Sequence, residues 1–257
     1  MTARTVPVAD IEHPDQMPLQ RLARLTGALY ILLVVLGMLG PLTLESMIVA
    51  GDPTVTAENI ADAGTRFDLS LIAWVVIVAV DVAISVTLYL ILAPVSRAQA
   101  LVTAAFRLVY SAALAALLAL LFVANTLLAD GTGRDAVALF ALEAFSAGFL
   151  AALVFFGIHL VLLGALFHQS GYIPRLLAVL LVAAGIGYVA DSLASLLVDD
   201  YGGILATILL APAVLGEVGL TLWLLIKGIA VPAQSHEPAR SRDASPSDSR
   251  RRHEKEE

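Results

Sequence analysis

Six long stretches of apolar residues divide this chain, and each is long enough to cross a lipid bilayer as a helix. The hydrocarbon layer is about 30 Å thick and a helix rises about 1.5 Å per residue, so one crossing needs about 20 residues. None of the six shows the two-residue alternation of a membrane barrel strand. The sequence therefore predicts an all-α, polytopic membrane helix bundle with spans at residues 25–44, 69–95, 101–128, 144–167, 172–198 and 204–231.

The composition supports lipid as the solvent of this bundle. Hydrophobic residues make up 59% of the chain and charged residues 14%, against about half and about a quarter in soluble domains. We expect a polar N-terminal segment (1–20), a membrane domain (21–231) and a charged, disordered cytoplasmic tail (232–257) that is rich in Ser, Pro, Arg and Glu. The chain has no cysteine and a net charge of −7, which excludes disulfides and disfavours nucleic acid as a ligand.

Basic residues predict the orientation of the bundle, because they are retained on the cytoplasmic side of short loops. Every second loop is basic, through Arg21, Arg24, Arg97, Arg175 and Lys227, whereas the alternate loops are mainly acidic. This pattern predicts that both termini lie in the cytoplasm.

Several local features carry structural expectations of their own. In the first outer loop, Thr54 or Thr56 is expected to cap a short surface helix. The outer segment 130–143 is predicted to be a loop. Trp74 and Trp223 lie near span ends and are expected to anchor at the membrane interface. Small residues are expected to allow close helix packing, namely Gly37, Gly40, Gly185 and Gly187. Pro41 and Pro212 are expected to kink or open their helices.

Ionisable residues inside the spans are the strongest functional signal. Each costs about 2.5–3.5 kcal/mol at a helix centre on insertion scales, so it needs a partner, a water-filled cavity or a route to the interface. Asp81 and Glu217 lie deepest in their spans. Glu45 and Asp191 sit near outer helix ends, where an interfacial carboxylate is the ordinary interpretation. The candidate polar site is Asp81, Arg107, His159 and Glu217, with Ser85, Ser111, Glu45 and Asp191 as secondary members.

Two of these residues leave alternatives open. Arg107 either snorkels to the headgroups or pairs with Asp81 inside the bilayer, because both registers of span three would insert. His159 is either a helix-to-helix hydrogen bonder or part of a proton relay. Ser85 and Ser111 each follow a charged residue by four positions and so share its helix face.

The chemistry of known intramembrane enzymes is missing from the sequence. No serine stands in a Gly-x-Ser-x-Gly-like turn with a histidine partner, paired metal-binding histidines are absent from the spans, and no phosphate-cradling glycine loop occurs. We therefore predict no catalytic residues, no metal site and no cofactor, and we disfavour an enzyme.

Five stretches of the chain resemble a family of uncharacterised prokaryotic membrane proteins, domain of unknown function 4386. They are Arg24-Leu25-Thr26-Gly27-Ala28-Leu29-Tyr30-Ile31, Gly51-Asp52-Pro53, Phe106-Arg107-Leu108, Phe155-Phe156-Gly157-Ile158-His159-Leu160 and Ser170-Gly171-Tyr172-Ile173-Pro174-Arg175. The resemblance implies a multi-helix bundle in a bacterial or archaeal plasma membrane, with no established activity.

Three functions compete on this sequence. The chain binds or transports a small molecule or ion through the polar intramembrane site, or it is a structural or regulatory membrane protein that acts through partners, or it is an intramembrane enzyme. The lipid bilayer is the one partner that the sequence indicates directly. Whether the intramembrane charges share one cavity or form separate pairs would discriminate the first function from the second.

Overall fold

The computed structural model describes residues 19–130, 133–198 and 201–229, and these residues form eight helices without a strand. The predicted disordered tail and nearly all of the polar segment 1–20 lie outside the described residues. The helices are α1 (Leu19–Leu39), α2 (Pro41–Glu45), α3 (Pro53–Ala63), α4 (Thr65–Leu92), α5 (Arg97–Ala129), α6 (Asp135–Ser170), α7 (Arg175–Leu197) and α8 (Gly203–Ile226).

Six segments of this fold are long and apolar enough to span a membrane. They are α1 together with α2, and the five helices α4, α5, α6, α7 and α8. Large apolar side chains also cover the outside of the bundle, as at Phe140 (71% exposed), Leu176 (70%) and Ile204 (79%). A water-soluble surface rarely carries apolar patches of this extent, whereas a lipid-facing surface requires them. The predicted all-α fold with six candidate membrane-spanning helices is confirmed.

The six long helices form a closed ring. Each of α4, α5, α6 and α7 packs against the long helices before and after it in the chain, and α8 packs back against α1. At the closure, the Gln20 side chain donates to the Lys227 carbonyl oxygen (2.7 Å) and accepts from the Ile229 amide (3.1 Å). Both described chain ends therefore lie on one side of the bundle, here called the terminal side. That this side faces the cytoplasm stays a prediction.

Glycines set the closest approaches between the later helices. A Cβ on Gly157 of α6 would lie 2.7 Å from the Gly185 carbonyl oxygen of α7, and one on Gly187 would overlap the Leu209 carbonyl of α8. The expected role of Gly185 and Gly187 in close packing is confirmed. For Gly37 the expectation is wrong, because a Cβ there would meet nothing within 4 Å.

The two prolines behave differently. The first spanning segment breaks at Gly40, and Pro41 starts the short helix α2 in the first turn, where proline has no hydrogen bond to lose. Pro212 lies inside α8, which continues as a helix on both sides of it. Only the first proline therefore separates two helical segments.

The side of the bundle opposite the terminal side is here called the far side. On it, the loop between α2 and α4 folds onto the bundle. As expected, it contains a short helix, α3, but its N-cap is Asp52, whose carboxylate accepts from the Val55 amide at 3.1 Å. The prediction of a Thr54 or Thr56 cap is wrong. Instead, the Thr56 hydroxyl binds the backbone of Val49.

The segment 130–143 is not a loop throughout, because α6 begins at Asp135. Its first two turns bury a helical stripe of apolar residues, namely Ala138, Leu139, Ala141 and Leu142. The Glu143 side chain then accepts a hydrogen bond from the Gly51 amide, at 3.2 Å, and so joins α6 to the loop before α3.

Candidate functional site

Asp81 of α4 and Arg107 of α5 form an ion pair in the interior of the bundle. Arg107 Nη2 lies 2.5 Å from Asp81 Oδ1, and the two residues are 0% and 1% exposed. The second carboxylate oxygen, Oδ2, accepts from the Ser111 hydroxyl at 2.5 Å. Of the two arrangements left open for Arg107, the structure has the buried pair, and Ser111 shares the helix face of Arg107 as its spacing requires.

The guanidinium of Arg107 has further partners on two other helices. Its Nη1 donates to the Tyr30 hydroxyl of α1 at 3.0 Å and lies 3.2 Å from His159 Nε2 of α6. The ring centres of Tyr30 and Phe156 are each 5.3 Å from Arg107 Cζ, within the range of a cation–π interaction. One side chain thus joins α1, α4, α5 and α6.

His159 is engaged through both ring nitrogens. Its Nδ1 lies 2.9 Å from the Thr103 carbonyl oxygen, which can only accept, and its Nε2 faces an N–H group of Arg107, which can only donate. The hydrogen-bond pattern therefore defines a neutral imidazole with the proton on Nδ1. In this arrangement His159 bridges α5 and α6, and a proton relay through it stays a prediction.

Ser85 contributes to helix packing beside this pair. Its hydroxyl donates to the Ala104 carbonyl oxygen of α5 at 3.1 Å and makes no hydrogen bond to Asp81. The residue shares a helix face with Asp81, as its spacing requires, but serves the contact between α4 and α5.

Glu217 of α8 lies apart from the ion pair. Its Oε1 accepts from the Tyr188 hydroxyl of α7 at 3.0 Å, and it forms no salt bridge with any residue that the structure describes. The side chain is half-buried. Of the two deep carboxylates, Asp81 has a cationic partner and Glu217 has only a neutral one.

Both carboxylates nevertheless line one cavity of about 320 Å³. Twelve of the described residues, from α1, α2 and α4 to α8, form its walls, and most of them are aliphatic or aromatic. The size lies at the lower end of small-molecule sites, which run from about 300 to 1,000 Å³. Gly37 is among the lining residues, which accounts for the open space around it.

A continuous aromatic wall runs along this cavity. The ring centres are 5.3 Å apart from Trp74 to Phe149, 6.5 Å from Phe149 to Tyr110, 5.1 Å from Tyr110 to Phe156 and 5.4 Å from Phe156 to Tyr188. Because the Tyr188 hydroxyl binds Glu217, the wall ends at the carboxylate that has no cationic partner.

Trp74 is not the interfacial anchor that its position predicts. It is 3% exposed and packs edge-to-face on Phe145 and Phe149, and its indole N–H has no partner among the described residues. Trp223 is half-buried, with an indole nitrogen that is likewise buried and without a described partner. Because both indole nitrogens are buried inside the bundle, neither is placed to donate a hydrogen bond at its surface, as an interfacial anchor would.

The two secondary carboxylates lie away from this cavity. Asp191 accepts from the Tyr201 hydroxyl at 2.7 Å, and this hydrogen bond to an anion raises the pKa of Tyr201 to about 12. Glu45 is exposed and lines a neighbouring cavity of similar volume, about 320 Å³, which shares Pro41, Trp74 and Phe149 with the first. The structure thus brings together Asp81, Arg107, Ser111 and His159, places Glu217 across the cavity, and separates Glu45 and Asp191.

Tyrosines are the site residues that the sequence interpretation missed. Tyr30 and Tyr188 supply the hydroxyls next to Arg107 and Glu217. A phenol inside an apolar span needs a hydrogen-bond partner, so each was a detectable signal. Among the described residues, no group of three or more His, Cys, Asp and Glu side chains is arranged to hold a metal ion.

Comparison with known proteins places the chain among proteins without an assigned function. The family described as domain of unknown function (DUF4386) matches residues 25–228. A protein from Archaeoglobus fulgidus, described as uncharacterized, is 32% identical over 159 residues, which are 62% of this chain and 83% of that relative. No solved structure matches the chain significantly. With the family match covering most of the helical bundle, this chain belongs to the DUF4386 family.

Proposed function

We propose that this protein binds a small molecule or ion inside the membrane, in the cavity lined by Asp81 and Glu217, as a transporter or a membrane receptor for that ligand. The observation that carries the proposal is the shared cavity, since two deep carboxylates on α4 and α8 line the same space of about 320 Å³. Ionisable residues at this depth commonly mark ion or substrate pathways.

The two carboxylates differ in how many of their oxygens already accept a hydrogen bond. Both oxygens of Asp81 are occupied, one by Arg107 and one by Ser111. On Glu217 only Oε1 has a donor, the Tyr188 hydroxyl, and Oε2 has no hydrogen bond to a described residue. We assign Asp81 to the fixed framework of the site and Glu217 to contact with the ligand.

A direct test is whether a water-soluble reagent reaches the cavity. The chain contains no cysteine, so Leu153→Cys, in the cavity wall, introduces the sole thiol. A small thiosulfonate should modify it at least about tenfold faster than the thiol of Leu121→Cys, whose parent side chain is fully buried elsewhere in the core. Equal, slow rates at the two positions would overturn the proposal, because no ligand from water could then enter.

A second candidate function is structural or regulatory, and the Arg107 network favours it. That network joins α1, α4, α5 and α6 through side chains that are nearly all fully buried. If the polar residues served only the fold, Glu217→Gln would lower thermal stability in detergent, as we expect Asp81→Asn to do, and crosslinking in native membranes would recover a specific protein partner. For a ligand site, Glu217→Gln leaves the melting temperature near that of the wild type.

We also propose that the bundle lies in the plasma membrane of a prokaryote with both termini in the cytoplasm. The exposed basic residues of the terminal side support this orientation. An impermeant maleimide added to intact cells should label Glu58→Cys on the far side, and it should label Ala98→Cys on the terminal side only after permeabilisation. The reverse pattern would invert the topology.

A further inference from the structure

We infer that the cavity takes a small organic cation, with an ammonium-type group at Glu217 and an apolar or aromatic body along the aromatic wall. This inference rests on the proposed function and names the chemical class of its ligand. Three independent features of the cavity lead to it, namely its charge, its lining and its volume.

The charge of the cavity is unbalanced. Asp81 is compensated by Arg107 at 2.5 Å, and the hydrogen bonds of His159 define a neutral ring. Glu217 has the Tyr188 hydroxyl and forms no salt bridge with a described residue. An ionised residue inside the bilayer is stabilised by an ionic partner or by water, and a cationic ligand at Glu217 would supply the ionic partner that no described residue supplies. An anionic ligand would meet two carboxylates, and no Lys or Arg is among the described residues that line the cavity.

The lining favours an organic cation over a metal ion. Hard metal ions take about six to eight oxygen ligands, whereas this cavity offers two carboxylates, one of them already occupied on both oxygens. The remaining surface of the cavity is mainly carbon. Starting from Glu217, the rings of Tyr188, Phe156 and Tyr110 follow one another along the aromatic wall. Aromatic faces attract ammonium groups, and most strongly where water is excluded.

The volume restricts the size of the ligand. About 320 Å³ suits a single small amine with one ring or a short apolar chain. Glu217 stands at one end of the aromatic wall and Trp74 at the other. A ligand with its charge at one end and an apolar body at the other matches this polarity.

Three probes that share a phenyl-ethyl or phenyl-methyl body separate charge from size: 2-phenylethylammonium, 2-phenylethanol and phenylacetate. Binding to the purified full-length protein in nanodiscs is measured by titration calorimetry and thermal stabilisation. We expect the ammonium probe to bind at least about 30-fold more tightly than the alcohol or the acid, a factor equal to about 2 kcal/mol.

Two carboxylate variants locate the charge recognition. Glu217→Gln keeps the shape of the side chain and removes its charge, and it should weaken binding of the ammonium probe by at least about tenfold. Glu45→Gln makes the same change beside the neighbouring cavity and should leave binding within about twofold of the wild type. If Glu217→Gln fails to fold, the folded Leu153→Cys protein can be modified with a benzyl thiosulfonate, which fills the cavity and should abolish binding.

Each contrary result is distinct. Equal affinity for the alcohol and the ammonium overturns charge recognition, and loss of binding in Glu45→Gln with retention in Glu217→Gln moves the site to the neighbouring cavity and overturns the inference. A reactive Leu153→Cys thiol with no binding of the ammonium probe overturns the cation class alone and leaves the proposed function standing. An unreactive thiol at that position overturns both.

Discussion

Removing the negative charge of Asp81 should destabilise the bundle strongly. In Asp81→Asn the amide can still accept from Arg107, so the geometry of the contact survives and its charge does not. Arg107 is 0% exposed and would keep only neutral described partners, Tyr30 and His159. Breaking a buried ion pair on one side costs about 3–5 kcal/mol, because the remaining charge is left uncompensated. We expect the free energy of unfolding to fall by this amount.

A double-mutant cycle tests the reasoning through the second partner. Arg107→Met should cost a similar amount, and the double variant should cost at least about 2 kcal/mol less than the sum of the two single changes. The free energy of unfolding is measured by reversible denaturation in mixed micelles. Asp68→Asn is the matched control, because it makes the same change at an exposed position of α4 and should cost less than about 1 kcal/mol. Additive costs for the two single changes would refute a direct ion pair.

Three further predictions concern the framework. Gly157→Ala should lower the free energy of unfolding by about 1–3 kcal/mol, because its Cβ would overlap α7, whereas Gly37→Ala meets open space and should change it by less than about 1 kcal/mol; thermal unfolding compares the two. Asp52→Ala should destabilise α3 by about 0.5–2 kcal/mol through loss of its cap, seen as faster amide hydrogen exchange in α3, while Thr54→Ala should not. Gln20→Ala should speed exchange just after the end of α8 by about 5- to 30-fold, because each of the two lost hydrogen bonds contributes about 1 kcal/mol. Unchanged exchange there would contradict the closure of the ring.

The sequence predicts the membrane spans well because lipid imposes a simple length and polarity rule on each helix separately. The prediction is less accurate at the ends of the helices, because packing against neighbouring elements, rather than lipid, determines where a helix begins. The first three turns of α6 contain Asp135 and Glu143, which favour a loop in the sequence, yet Ala138, Leu139 and Leu142 bury a helical stripe against neighbouring elements. The apolar period in these turns could have revealed the longer helix.

The buried charged residues of the bundle were predictable in type, whereas their pairing was not. The depth of a residue in its span can be predicted from one helix alone, and it distinguishes Asp81 and Glu217 from the other carboxylates. Which of them meets Arg107 depends on the rotation and order of the helices around the ring, and hydropathy carries no information on either. Trp74 illustrates the same gap, since its position near a span end predicts an interface, whereas the rotation of α4 directs it towards Phe145 and Phe149.

A structural role for these charges is compatible with the proposed ligand site, because Asp81 forms the ion pair and also lines the cavity. Its ion pair fixes α4 and α5, and through Arg107 also α1 and α6. The same carboxylate lines the cavity. Glu217 and its tyrosine come from α8 and α7, which share no hydrogen bond of the Arg107 network among the described residues and approach their neighbours through glycine contacts. The cavity therefore has one wall held by a buried charge network and one wall that carries the unpaired charge. If the cavity binds a cation as we propose, the fixed wall would preserve the binding geometry and the ligand would complete the electrostatics of the other wall.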